Sequence, residues 1–277
     1  MKERIKIALA QISCKQGDKK ENLNRIKEKI EKSKEYNTDL VIFPELSLTG
    51  YLLRDRVYKL AETIPGKSTI FLEKLARKTG THLVFGMPEI SGKTTATIYN
   101  TAILIGPEGI LGKYRKMYLP SHSVFEEKRY FRPGYQPATF KTELGRIGLI
   151  ICYDIFFPEL CRLNRLKGSR LIICISASPV SRKEFFEILT KARAIENNSF
   201  VAYVNLVGLE NGLQFGGGSR IIGPSGKVLV KAEYDEEGVV VGEINYKDIK
   251  PIETFVPLLK DIRPEIFDKL KNIAEKI

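Results

Sequence analysis

The feature that most narrows what this chain can fold into is a set of strand-length runs that are apolar on both faces. Leu-Val-Ile-Phe (40–43), Ile-Gly-Leu-Ile-Ile (147–151) and Leu-Ile-Ile-Cys-Ile (171–175) lack the alternation of a strand with one wet face. Such strands need cover on both sides. They are also far shorter than the roughly 20 residues of a membrane-spanning helix.

The cover is legible between them. Asp18-x-x-Glu21 resembles a capping box, and Leu23, Ile26 and Ile30 then share one helical face. Ser68 is expected to cap a helix whose stripe includes Phe71, Leu72 and Leu75, stopped by Gly80. Strands are predicted over 4–11, 39–43, 82–86, 99–105 and 110–115. The second half replays this order. Strands fall at 146–152, 170–176 and 200–205, with helices at 158–167 and 182–197. The latter helix is expected to turn Phe185, Ile188, Leu189, Ala192 and Ile195 inward. A hairpin over 219–232 and a strand at 238–244 follow, then a tail with a helix from near Pro264.

Two echoes support a duplication: Ile-Leu-Ile-Gly-Pro-Glu-Gly (103–109) against Ile-Ile-Gly-Pro-Ser-Gly (221–226), and Arg4-Ile-Lys-Ile-Ala-Leu-Ala10 against Arg146-Ile-Gly-Leu-Ile-Ile-Cys152. Each half offers two helices for one face of its sheet. The predicted architecture is therefore α/β: a four-layer α-β-β-α sandwich of two mixed sheets with internal pseudo-duplication. It is read as one domain over 1–277, with a tail from about 247.

Composition excludes several classes. Of 277 residues, 43% are hydrophobic and 28% charged, as in a soluble globular protein. The first residues lack the apolar stretch of a signal peptide, so a cytoplasmic location is expected. Cys14, Cys152, Cys161 and Cys174 form no Cys-x-x-Cys pair, and His82 and His122 are the only histidines. No zinc site or other metal is expected, and acid-base work falls to carboxylates or lysine. The net charge of +12 raises a nucleic-acid reading. Lysine and arginine are instead interleaved with glutamate along helix faces, as in 19–34, so no nucleic-acid partner is expected. Abundant Lys, Glu and Ile with no Trp resembles heat-adapted proteins.

Three stretches place polar residues at or after the apolar strands. Glu45 follows Phe43-Pro44 and precedes more apolar residues, a setting that suits a carboxylate for proton transfer better than a solvated loop would. Lys116 closes Gly-Lys-Tyr-Arg-Lys, which taken alone reads as a basic strand end in water. Cys152 stands between an apolar strand and Tyr-Asp-Ile-Phe-Phe-Pro-Glu, where Pro158 opens a helix. A thiol at a strand-to-helix turn is either a buried space-filler or a rigidly held nucleophile.

Together these stretches resemble the nitrilase superfamily of carbon-nitrogen hydrolases over nearly the whole chain. The family's Glu-Lys-Cys pattern is met in order at Glu45, Lys116 and Cys152. Glu127-Lys-x-Tyr-Phe-x-Pro-Gly134 is similar to the segment carrying a fourth polar site residue, which leaves Glu126 a surface carboxylate. Arg193-Ala-Ile-Glu-Asn197, Asn205-x-Val-Gly208 and Asp261-Ile-Arg-Pro264 match later segments. The resemblance implies the same four-layer sandwich. It also implies hydrolysis of a small-molecule amide or N-carbamoyl compound through a Cys152 thioester, with no cofactor. Glu45 is then the general base, Lys116 the oxyanion partner beside the Tyr153 backbone N–H, and Glu127 orients the substrate or Lys116. Tyr51, Tyr153, Ser176 and Ala177 are the implied substrate contacts. Homodimers or higher oligomers, formed through the helix after Cys152 and the tail, are implied too.

Two departures bear on specificity: Tyr118 where many relatives carry His, and Ser176-Ala-Ser-Pro179 where many show Asn and an aromatic residue. Tyr153-Asp154 after the nucleophile is similar to amidase-like branches, which favours amides over nitriles. The alternatives are a nitrilase and a stand-alone glutaminase-type subunit of an amidotransferase.

Overall fold

The computed structural model describes residues 2–92 and 96–276. Its first half supplies strands β1 (Arg4–Gln11), β2 (Leu40–Ile42), β3 (His82–Ile90), β4 (Ile98–Gly106) and β5 (Gly109–Arg115). The second half supplies β6 (Ala138–Thr142), β7 (Gly145–Ile151), β8 (Leu171–Ser176) and β9 (Phe200–Asn205). It continues through β10 (Val207–Glu210), β11 (Leu213–Gly216), β12 (Arg220–Ile222), β13 (Val228–Lys231) and β14 (Gly238–Asn245).

Two six-stranded sheets result, ordered β14-β1-β2-β3-β4-β5 and β13-β12-β9-β8-β7-β6. Both have one plan. β1, β2 and β3 are parallel and continue into the antiparallel β4 and β5. Likewise β7, β8 and β9 are parallel and continue into the antiparallel β12 and β13. Each parallel trio is flanked by an antiparallel edge strand, β14 on β1 and β6 on β7. Because β14 comes from the end of the chain, the halves interlock. The sequence echoes paired the same strands, β1 with β7 and the β4–β5 hairpin with β12–β13.

Alternation along the strands builds the layers. Ile7, Leu9, Leu40, Ile42, Val84 and Leu104 of the first sheet share a core with Leu149, Ile151 and Ile173 of the second. Ala8, Ala10, Val41, Phe43 and Phe85 point the other way, onto Ile26, Ile30, Leu72 and Leu75 of the outer helices Lys19–Ser33 and Lys67–Thr79. Helices Pro158–Leu166 and Lys183–Glu196 cover the second sheet. The four-layer sandwich with mixed sheets is the observed fold.

Local expectations divide. Asp18 caps its helix, accepting from the Glu21 amide at 3.1 Å. Ser68 does not cap the next one, whose N-cap is Gly66. Ser68 sits in the first turn and is held at both its N–H and hydroxyl by the Glu62 carboxylate. Phe71 is largely exposed while Leu72, Leu75 and Ala76 are buried.

The inward face of Lys183–Glu196 also differs from expectation. Phe186, Thr190, Arg193 and Ala194 are buried, whereas Phe185, Ile188 and Ile195 are exposed. The helix has two apolar stripes. Arg193 decides between them, because its Nε reaches the carbonyl of Ile155 at 2.8 Å and its stripe must face the sheet. Strand β6 and the β10–β11 hairpin were not foreseen. Asn211 and Gly212 turn that hairpin with positive φ at both residues (46° and 84°), the pairing that Asn-Gly favours.

Candidate active site

Glu45 follows β2, Cys152 follows β7, and β5 leads directly into Lys116. In the shared plan of the sheets β2 corresponds to β8, and the ends of these two strands meet. The Ala177 N–H donates to Glu45 Oε2 at 2.8 Å, so the second half positions the first half's carboxylate. Glu45 Oε1 accepts from Asn100 Nδ2 and from Lys116 Nζ, each at 2.7 Å. Gly86 lets this loop sit against β3, since a Cβ there would lie 2.4 Å from the Leu46 nitrogen and 2.9 Å from Glu45 Cα.

Strand alternation explains the basic stretch before Lys116. Lys113 and Arg115 point to one side and pair with the buried Glu89. Tyr114 and Lys116 point inward, and Lys116 is fully buried. Its ammonium bridges Glu45 (2.7 Å) and Glu127 (2.6 Å). Burial alone would lower the Lys116 pKa, but the charges of Glu127 and Glu45 outweigh it and hold the group well above its ordinary value. Lys116 is therefore a cation at neutral pH.

Glu127 lies in the short helical turn Glu127–Tyr130 and also accepts from the Tyr51 hydroxyl at 2.6 Å. Burial raises its carboxyl to about 7, with Lys116 opposing the rise and Glu45 adding to it. Its neighbour Glu126 is exposed.

Cys152 begins a tight turn over Cys152–Phe156 with φ of +46°, a left-handed conformation that costs a non-glycine residue about 1–2 kcal/mol. Leu46, beside Glu45, is strained in the same way (φ 50°). Strain at a strand end can serve to aim a reactive side chain. The thiol is nearly buried, and burial raises its pKa above that of a free cysteine. Glu45 adds to the rise, while Lys116 and the neighbouring Ser176 hydroxyl oppose it. The resting group is a thiol, and deprotonation has to accompany its reaction.

Asp154 fastens the thiol's turn to the lysine's loop. Its carboxylate accepts from Ile151 N (3.0 Å), Tyr114 OH (2.8 Å) and Tyr118 N (2.9 Å). Burial raises it to about 6 against these bonds and the Lys116 charge. Glu210, at the end of β10, fixes the Tyr51 loop by accepting from the amides of Tyr51 and Leu52, each at 2.9 Å.

Cys152 opens into a cavity of about 200 Å³ whose walls include Tyr51, Tyr153, Ser178 and Pro179. Ser176 and Ala177, expected as substrate contacts, do not line it. They stand one step behind, Ala177 on Glu45 and Ser176 near the thiol. A larger cavity of about 450 Å³ lies across Tyr51 and Glu127 but does not reach Cys152. Among the described residues no cluster of three metal-ligating side chains occurs, and no helix is long and apolar enough to cross a membrane.

Sequence reasoning passed over Asn100, Asp154 and Glu210. Asn100 had a signal, a polar residue inside an apolar strand, and Asp154 stood within the quoted Cys-Tyr-Asp. Glu210 had none without the Asn211-Gly212 hairpin that places it.

A strained thiol beside a buried lysine and two carboxylates, at the meeting of two duplicated sheets, defines a carbon-nitrogen hydrolase of the thiol type. Residues 6–254 match the carbon-nitrogen hydrolase family, and the chain belongs to it. It is 33% identical to a probable nitrilase of Schizosaccharomyces pombe, over 95% of this chain and 97% of that one. It is 32% identical to the 2-oxoglutaramate amidase of Bacillus subtilis, over 94% and 98%. The crystal structure of a carbon-nitrogen hydrolase from Helicobacter pylori G27 superposes with a TM-score of 0.90 at 27% identity, over 96% and 98%.

The Glu127 shift gives a stability test. A carboxyl at about 7 in the fold and 4.5 unfolded binds more protons when folded. Its contribution is full below about pH 4.5 and is lost as pH rises to about 7. Glu127→Gln should flatten the fall in melting temperature over that interval. An unchanged slope in the variant contradicts the assignment.

Proposed function

We propose that this protein hydrolyses the amide or N-carbamoyl C–N bond of a small molecule through a thioester on Cys152. The observation that carries the reading is the buried Lys116 ammonium, held between Glu45 and Glu127 beside the Cys152 thiol, whose burial favours its protonated form. An amide carbonyl needs a nucleophile activated as it attacks and a fixed positive charge where its oxygen becomes negative.

In this reading Cys152 Sγ bonds to the carbonyl carbon while its proton passes to Glu45. The oxyanion is met by Lys116 and the Tyr153 backbone N–H. One such donor is typically worth about 3–4 kcal/mol. As the C–N bond breaks, the leaving nitrogen takes the proton from Glu45, and ammonia or an amine departs. Water then attacks the thioester carbon, giving a proton to Glu45. Collapse expels the sulfur, which regains the proton as the acid leaves. Glu45 keeps one lone pair, on Oε2, for this traffic even with Asn100, Lys116 and Ala177 bonded. Glu127 and Tyr51 hold Lys116 in place, and no cofactor takes part.

A nucleophilic thiol also calls for a reducing setting, which supports a cytoplasmic site of action. Cys152→Ala should retain the fold by circular dichroism and lose at least about a thousandfold of ammonia release from its best amide. Undiminished turnover would end the mechanism. Nitriles converted to acids in place of amides would move the reading to a nitrilase.

The same reading includes self-association. Leu163 and Leu166 on one outer helix, and Phe185, Ile188 and Ile195 on the other, are exposed over the second sheet. The tail helix Pro264–Ala274 buries nothing and exposes Ile266, Phe267, Leu270 and Ile273. A homodimer or higher oligomer would cover these faces. Sedimentation should give a multiple of the 31.4 kDa chain, reduced in Ile188→Glu. A wild-type monomer would contradict this.

A further inference from the structure

The cavity at Cys152 has an uneven chemistry. Phe125, Phe156 and Phe186 give it apolar walls, together with the rings of Tyr51 and Tyr153. These rings brace one another: Phe156 meets Phe186 edge-on at 5.7 Å, and Tyr51 meets Phe125 at 6.2 Å. A polar acyl chain would lose water along these ring walls. Against them stand the polar Ser178 and His122 and, as a charged group, the guanidinium of Arg182.

Arg182 is placed but unspent. Its amide donates to the Pro179 carbonyl at 2.9 Å, which fixes the backbone beside the cavity wall. Its guanidinium lies 5.6 Å from the Phe185 ring centroid and has no hydrogen bond or carboxylate partner among the described residues. Three other arginines of this half are engaged, Arg165 with Glu253, Arg193 with Glu196 and Arg220 beside Glu187, while Arg162, away from the cavity, has a buried Nη1 without a partner. A half-buried guanidinium at the edge of an aromatic cavity is a ready partner for an anion, because its paired N–H groups match a carboxylate.

We propose that the substrate's acyl group is an apolar, ring-sized body bearing a carboxylate remote from the scissile amide, and that Arg182 binds that carboxylate. The inference rests on the amide-hydrolase reading. The rings take the body, Arg182 takes the charge, and the two together present the carbonyl carbon to Cys152. Arg182 is a specificity residue and takes no part in bond making.

The test compares kcat/KM for ammonia release from 4-carboxyphenylacetamide and from its uncharged counterpart 4-methylphenylacetamide. The wild type should prefer the carboxylate by about 10–100-fold, the range of a hydrogen-bonded charge contact. The preference should shrink as salt is raised. It should fall towards one in Arg182→Gln and return in part in Arg182→Lys. Equal rates in the wild type, a preference that survives Arg182→Gln, or turnover confined to short polar amides would each overturn the proposal. The salt series reads the same contact in the wild type should the variant fail to fold. Failure of every amide to release ammonia, with Cys152 intact, would instead overturn the function on which the proposal rests.

Discussion

The structure depends on one buried cation. An ammonium without solvent is tolerated only when paired, and removing one partner from such a pair typically costs about 3–5 kcal/mol. Lys116 meets this condition through Glu45 and Glu127, which come from two other parts of the chain. The three can lie together only if β5, the loop after β2 and the Glu127–Tyr130 turn are all in register. Second contacts fix each: Asn100 and Ala177 on Glu45, Tyr51 on Glu127, and the amide of Lys116 on the Asn100 carbonyl. The same charge bears on the Cys152 thiol. The electrostatics that could drive chemistry are thus the ones the fold must satisfy to close.

Duplication explains why this meeting point exists. Two sheets of one plan packed face to face bring the ends of β2 and β8 together, and the site forms where they touch. Glu45 is polar at that end in the first half. The second half offers Ser176 and Ala177, which support Glu45 and the thiol without lining the cavity. Cys152 directly follows β7, the counterpart of β1, which is itself followed by the apolar Ile12. The halves share a frame, and only one copy of each strand end bears chemistry.

Much of this was legible in the residues. Runs apolar on both faces required cover, and repeated order with a repeated hairpin required two equivalent sheets. Glu45 and Cys152 stood out as polar groups at the ends of apolar strands, and Lys116 and Glu127 through the family's motif. What was hidden depends on choices between local equals. The Lys183–Glu196 helix carries two apolar stripes, and a buried arginine selects the one that faces the sheet. Ser68 and Gly66 could each begin a helix, and the Glu62 carboxylate fixes the outcome. Glu210 reads as a loop charge until the Asn211-Gly212 turn brings it under the Tyr51 amide. In each case a contact from outside the element settles what local propensity leaves equal.

The account stands on a thiol that is protonated at rest and gives up its proton only as it attacks. The direct measurement is thiolate absorbance as a function of pH, taken as the difference between wild type and Cys152→Ala to remove the other three cysteines. The account predicts no Cys152 thiolate at neutral pH, with titration above that of a free cysteine. A standing thiolate at pH 7 would contradict it, for the buried lysine would then be paired with sulfur and Glu45 would have no proton to take.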